Sequence, residues 1–310
     1  MFTLVYGFFY MLSLLPMWVL YRLADVGYLF IYYVLKYRRG IVRQNLVSSF
    51  PEKTNSEIVN IEKQFYRWFA DYFLESIKLL SISRKQLAKR LTIINADLIE
   101  KDFKEGTHVA AILGHYCNWE WLSAVTIGLP NNRVVALVYK PIKNKIINHL
   151  FYCLRSSQGG VPVAKNDILR ALVKYKKQQT MTLFGYIADQ SPRWQNIHLW
   201  LPFLHHQTPV FTGSERIMRK MNNAVYYAEM SRPKRGYYTC TFRLITKEPN
   251  SLPEHDITRR FFEMLEVSIK AQPHLYLWTH NRWKRTKEEF DARFKVENGN
   301  LKVGGVWEHE

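Results

Sequence analysis

The sequence predicts one α/β domain with a mixed, largely parallel sheet flanked by helices, plus an N-terminal membrane helix. Three observations predict it. Short apolar or β-branched runs alternate with amphipathic segments from residue 91 to residue 271, the order expected of βαβ units. No internal repeat, low-complexity tract or long linker divides the 310 residues. Residues 2–21 carry no charged side chain, and about twenty apolar residues span a bilayer as a helix.

That first run ends at Arg22 and Asp25, and a second, from 26 to 35, is too short to span alone. Pro16 with the Arg22/Asp25 pair also permits a bent helix lying in the interface. A basic cluster follows, Lys36, Arg38, Arg39 and Arg43, with no acid among them. By the positive-inside rule it leaves the rest of the chain on the cytoplasmic side. No positive n-region or small-residue cleavage site accompanies the run, which argues against a cleaved signal. The chain thus divides into a membrane anchor with a basic juxtamembrane segment, 1–40, and a cytoplasmic α/β domain, 41–310.

Residues 45–51 form a break, after which Thr54 or Ser56 opens a helix. From 58 to 80 apolar residues recur at helical spacing (Ile61, Phe65, Trp68, Phe69, Tyr72, Phe73, Ile77, Leu80), an aromatic stripe suited to a core. Strand and helix signals then alternate: strand 91–95, helix 97–104, strand 107–113, helix 119–127, strand 133–139 and helix 143–157. There follow strand 161–164, helix 167–177, strands 181–187 and 199–203, helix 212–221, strands 224–230 and 237–245, and a helix at 257–271.

A formal charge of +18 points to anionic partners: nucleic acid, anionic lipid or an acidic protein. The basic residues are spread over many elements without a recognition motif, which argues against nucleic acid. Cys117, Cys153 and Cys240 fit neither a disulfide framework nor a thiolate metal site, so a reducing compartment is expected.

In open α/β sheets ligands collect beyond the carboxyl ends of strands. His115 follows the strand at 107–113, and Asn118 is placed to cap the next helix, which puts Glu120 in its first turn. Five residues on a regular helix would rotate the two side chains about 140° apart, so they meet only if the backbone bends between them. With that bend Glu120 holds one imidazole nitrogen and the other acts as a base. Arg155, between an apolar helix and a Gly-Gly turn, either clamps a phosphate or carboxylate or caps the helix C-terminus. Asp189, ending the strand at 181–187, either organises a site or forms a turn.

His198, His205 and His206 have no carboxylate or thiolate at ligand spacing, so no metal is expected. Gly159-Gly160 fits no nucleotide-binding pattern. The cations at 232–235 and at 282, 284 and 285 read as solvated turns, with a phosphate or lipid headgroup as the sharper alternative.

The block Gly114-His115-Tyr-Cys-Asn118-Trp119-Glu120 resembles the HxxxxD/E signature of glycerolipid-type acyltransferases. With it come Arg43-Gln-Asn45-Leu, Phe50-Pro51, Tyr139-Lys-Pro141, Arg155 with Gly159, Ala188-Asp189-Gln190-Ser-Pro192 and Leu277-Trp278-Thr-His280-Asn-Arg282. In that order the whole chain is similar to the late acyltransferases of lipid A biosynthesis, which transfer lauroyl or myristoyl groups. The resemblance implies a bacterial inner-membrane enzyme, facing the cytoplasm and free of cofactors. It would move an acyl chain from acyl carrier protein to a hydroxyl of an anionic glycolipid. In that scheme His115 is the base, Glu120 its orienter, Arg155 a contact for the acceptor phosphate or a support of the site, and Asp189 an organiser. A basic face of Lys140, Lys143, Lys145, Arg170, Lys174, Lys176 and Lys177 would steer the acidic donor and the phosphorylated acceptor. A lysophospholipid or aminolipid acceptor, and a non-catalytic membrane-tethered scaffold, are the alternative readings.

Overall fold

In a computed structural model of the chain, residues 2–129, 133–297 and 300–303 are described. Residue 1 of the predicted anchor and residues 304–310 of the predicted domain lie outside them. The uncharged N-terminal run is not one helix. It breaks at Pro16 into α1 (Phe2–Leu14) and α2 (Met17–Leu29), the second running on through a π-helical turn to Val34. Proline has no amide to donate and its ring clashes with the preceding turn. The two arms are bent by 113°, and among the described residues no single helix is long and apolar enough to cross a membrane.

Next come α3 (Arg39–Ser49) and the long α4 (Asn55–Lys78). Thr54 caps α4 in a reciprocal box with Glu57. Its stripe is core as expected, with Phe65, Tyr66 and Trp68 fully covered, but Phe73 is half-exposed. The basic cluster before it is not a free juxtamembrane patch. Arg39 and Arg43 pair with the buried Glu62 of α4, and Arg38 donates to the Thr279 carbonyl.

The remaining elements follow the predicted alternation closely. They are α5 (Arg84–Ala88), β1 (Leu91–Ile94), α6 (Ala96–Lys104), β2 (Val109–Leu113), a 3₁₀ segment (Trp119–Gly128), β3 (Val134–Tyr139), α7 (Lys145–Ser156), β4 (Val161–Ala164), α8 (Ile168–Lys177) and β5 (Thr182–Ile187). Beyond them lie the hairpin β6 (Trp200–Phe203) and β7 (His206–Pro209), then α9 (Gly213–Met221), β8 (Ala224–Lys234), β9 (Tyr237–Thr246) and α10 (Asp256–Ala271). A short α11 (Lys287–Arg293) and a hairpin of β10 (Phe294–Glu297) and β11 (Asn300–Val303) complete the order.

Seven strands form the main sheet in the order β1-β9-β8-β2-β5-β3-β4, parallel except for the β8/β9 pair. The molecule is therefore a single α/β domain with a mixed, mostly parallel sheet. At its centre β2 and β5 pair in register from Val109 opposite Leu183 to Leu113 opposite Ile187. All five residues of β2 are buried, as befits a strand covered on both faces.

The stretch after α10 lies as a strap across the end of β2. Cys117 N–H donates to Leu275 O (2.8 Å) and Leu277 N–H to His115 O (3.1 Å). Asn45 on α3 holds the strap in turn, its amide donating to Trp278 O (2.9 Å) and His280 O (3.0 Å). Two strap histidines are kept neutral: burial presses His274 and His280 down from 6.5 to about 4. Between pH 6.5 and 4 the unfolded chain binds protons that the folded chain refuses, so stability falls as pH falls through this window and is level above it. Each histidine accounts for a loss on the order of 3 kcal/mol at most. Melting curves across this range should therefore show a shallower decline for the double variant His274→Gln/His280→Gln than for the parent chain. Parallel declines would contradict it.

Candidate active site

Beyond Leu113 the chain turns sharply. Gly114 sits where a Cβ would lie 2.9 Å from both Leu265 methyl groups, so a larger residue there would make the Leu265 side chain on α10 shift. Cys117 takes a left-handed conformation (φ 57°), which re-aims the backbone into the 3₁₀ segment. Asn118 caps that segment as expected, its side chain accepting from Trp121 N–H (3.3 Å). Its amide donates to Glu75 of α4 (2.8 Å), a fully buried acid that also accepts from Tyr21 and Tyr238. Burial holds the Glu75 carboxyl above its ordinary value.

The bend does not deliver Glu120 to His115. His115 Nδ1 donates instead to Asp189 Oδ1 at 2.6 Å, and Gln190 Nε2 approaches the other ring nitrogen at 3.2 Å. Both Glu120 oxygens are taken by Arg155, at 2.8 Å from Nε and 2.6 Å from Nη2. The expected His115–Glu120 pair is thus replaced by two pairs, His115–Asp189 and Glu120–Arg155. The cause is the β2/β5 register. Leu113 faces Ile187, so the residues two beyond each strand end come side by side, and Ala188 N–H extends the ladder to Leu113 O (3.1 Å).

Asp189 is fully buried. Burial alone would push its carboxyl up, but the adjoining His115, with a smaller pull from Arg282, holds it below its ordinary value, so it is ionised. An ionised carboxylate at Nδ1 and an amide donor at Nε2 fix one tautomer, with the Nε2 lone pair turned toward Gln190. His115 is framed edge-on by Trp119, which packs against Tyr72 at 4.2 Å. Burial works against the charge of Arg155, but Glu120 outweighs it and holds the guanidinium above its ordinary value. The bidentate grip ties Arg155 to Glu120.

Three of these four residues border a groove of about 1320 Å³, larger than the usual range of about 300–1,000 Å³ for small-ligand sites. His115, Glu120 and Arg155 line it, and its inner walls are apolar, with Leu113, Leu137 and Leu183 among them. Of the predicted basic face, Lys140 and Lys143 line the groove. Lys145, Arg170 and Lys174 do not, and Arg170 pairs with its neighbour Asp167. The rim is completed by Lys165, Arg193, Arg216 and Lys220, which sequence reasoning did not pick out.

In the two other basic stretches read as solvated turns, Lys234, Arg235 and Lys284 are exposed as expected, but several arginines have partners inside the fold. Arg282 is buried with its Nη2 on Pro209 O (2.8 Å). Arg232 and Arg235 pair with the buried Asp71. Gln190 was also missed as a contact of His115, although it stands next to Asp189 in the quoted block.

A histidine held by a buried carboxylate, at the carboxyl ends of parallel strands and beside a groove lined by apolar and cationic side chains, makes this the candidate active site. The chain belongs to the bacterial lipid A biosynthesis acyltransferase family, whose model matches residues 1–285. No curated protein matches the chain.

The two pairs should respond differently to neutralisation. Asp189→Asn should keep the fold but unlock the tautomer, lowering kcat by about 10²–10⁴-fold with little change in KM. Glu120→Gln leaves Arg155 short of a partner, and should cost about 3–5 kcal/mol of stability, read from denaturation midpoints. Full activity in the first variant or an unchanged midpoint in the second would contradict this division of roles.

Proposed function

We propose that this lipid A biosynthesis acyltransferase takes a fatty acyl chain from acyl carrier protein and esterifies a hydroxyl of a lipid A precursor. It does so at the bacterial inner membrane. Residues 1–40 hold it to the bilayer, and residues 41–310 face the cytoplasm. The observation that carries the reading is that His115, which lines the groove, is held at Nδ1 by Asp189, in a chain matched to the family over residues 1–285.

In this mechanism the acceptor hydroxyl displaces Gln190 from His115 Nε2 and gives its proton to that nitrogen as its oxygen attacks the thioester carbonyl. Asp189 stabilises the imidazolium across Nδ1. Collapse of the tetrahedral oxyanion breaks the carbon–sulfur bond, and the departing thiolate takes the proton back from Nε2. The acyl chain lies along the apolar walls. Glu120 serves by fixing Arg155, whose Nη1 has no hydrogen bond among the described residues and is available to a phosphate or to the oxyanion. The rim cations, Lys140 and Lys143 among them, attract the acidic carrier protein and the acceptor phosphates.

The test is mass spectrometry of lipid A from cells with the protein, without it, and with the His115→Ala variant. The mechanism predicts that one acyl chain is absent without the protein and stays absent with the variant, whose rate should fall by about a hundredfold or more. Identical lipid A in all three strains would overturn the assignment.

A further inference from the structure

Apart from the groove, a second cavity of about 390 Å³ lies at the bend between α1 and α2. Its walls are of two kinds. Pro16, Met17 and Trp18 make an apolar lip, while Lys78, Lys89 and Arg90 supply three cations, and among the described residues no Asp or Glu lines it. Charge of one sign in a concave site attracts an anion.

The cationic side is held in place. Lys78 is buried on α4 and fixed by the Ser13 and Leu15 carbonyls at 2.7 and 3.0 Å. Arg90 donates to Gly236 O (3.2 Å) and lies over the Tyr237 ring. Here α2 also begins, behind Pro16 and without a side-chain cap. The Met17 and Trp18 amides consequently lack partners within the helix and favour negative charge.

The lip continues into an apolar stripe. Leu4, Phe8, Met11 and Leu14 on α1 are each more than half exposed, as is Trp18 at 70%. A stripe of that size is seldom left bare in water.

We propose that the bend is a lipid-binding site distinct from the substrate groove: the α1 stripe and Trp18 enter the bilayer, and the cavity holds the phosphate of an anionic membrane phospholipid. This rests on the membrane reading given above. The lipid's phosphodiester meets Lys89, Arg90 and the first amides of α2, and its chains lie against Met17 and Trp18. The contact sets the bend at headgroup depth.

Flotation of the full-length protein with phosphatidylcholine vesicles, with and without phosphatidylglycerol, tests it. The variant carries Gln86→Glu with Lys89→Gln. Gln86 lines the cavity and its side chain accepts from Ser83 N–H in a capping box, which glutamate makes equally well. The wild type should bind neutral vesicles through its stripe and bind more tightly once phosphatidylglycerol is present. The variant, two charges more negative, should match it on neutral vesicles and bind anionic ones roughly thirtyfold more weakly. Lys174→Glu makes the same charge change on α8, which packs on β4, and should keep the gain.

A full gain in the Gln86→Glu/Lys89→Gln variant, or an equal loss in Lys174→Glu, would overturn the site. Loss of the gain on adding inorganic phosphate, but not chloride at the same ionic strength, would reassign the cavity to free phosphate and overturn the lipid. Failure of the wild type to float with either vesicle would overturn the membrane reading itself.

Discussion

The site depends on one pairing, that of β2 with β5. Both are short, buried runs whose stability comes from apolar burial and from the ladder hydrogen bonds of their pairing. With Leu113 opposite Ile187, the first side chains free of the sheet plane are His115 and Asp189 at the same level. A slip of one residue would send every side chain of β5 to the opposite face and separate the two. Their 2.6 Å hydrogen bond is thus imposed by the sheet and not built by local chain geometry.

The strap completes what the register begins. A turn with a left-handed Cys117 stays in place because residues 275–277 bond to it from one side and Asn118 is tied to α4 from the other. The strap is in turn held by Asn45, and Phe50 packs edge-on against Trp278. This explains why Arg43-Gln-Asn45-Leu and Phe50-Pro51, remote in sequence, accompany the histidine block. Several of the arginines have a structural use as well. Arg39 and Arg43 neutralise Glu62, Arg232 and Arg235 neutralise Asp71, and Arg219 neutralises Glu215, all on carboxylates taken out of water.

Local signals were legible in the sequence. Period and caps marked most strands and helices from β1 to α10, though not β7, and Asn118 was readable as a cap because capping is a contact between neighbours. The uncharged length of the N-terminal run was legible too, and Pro16 signalled that it bends. Partners brought together by the fold were not. Glu120 looked like the orienter of His115 because it is near in sequence, whereas Asp189, 74 residues away, is near only through a parallel register that no local pattern encodes. For the same reason Arg282 and Arg232 read as solvated cations: the carbonyl and the carboxylate that receive them lie on distant elements. One signal was available and unused. His115 and Asp189 each stand two residues past the end of an apolar strand.

Nitrogen NMR of the His115 ring at neutral pH tests the central claim most directly. The register requires the proton on Nδ1, with the shift of a strong hydrogen bond. It predicts that this signal is lost in Asp189→Asn and kept in Glu120→Gln. A signal that survives the first substitution and disappears in the second would show that Glu120 is the true partner and that the strands do not set the site.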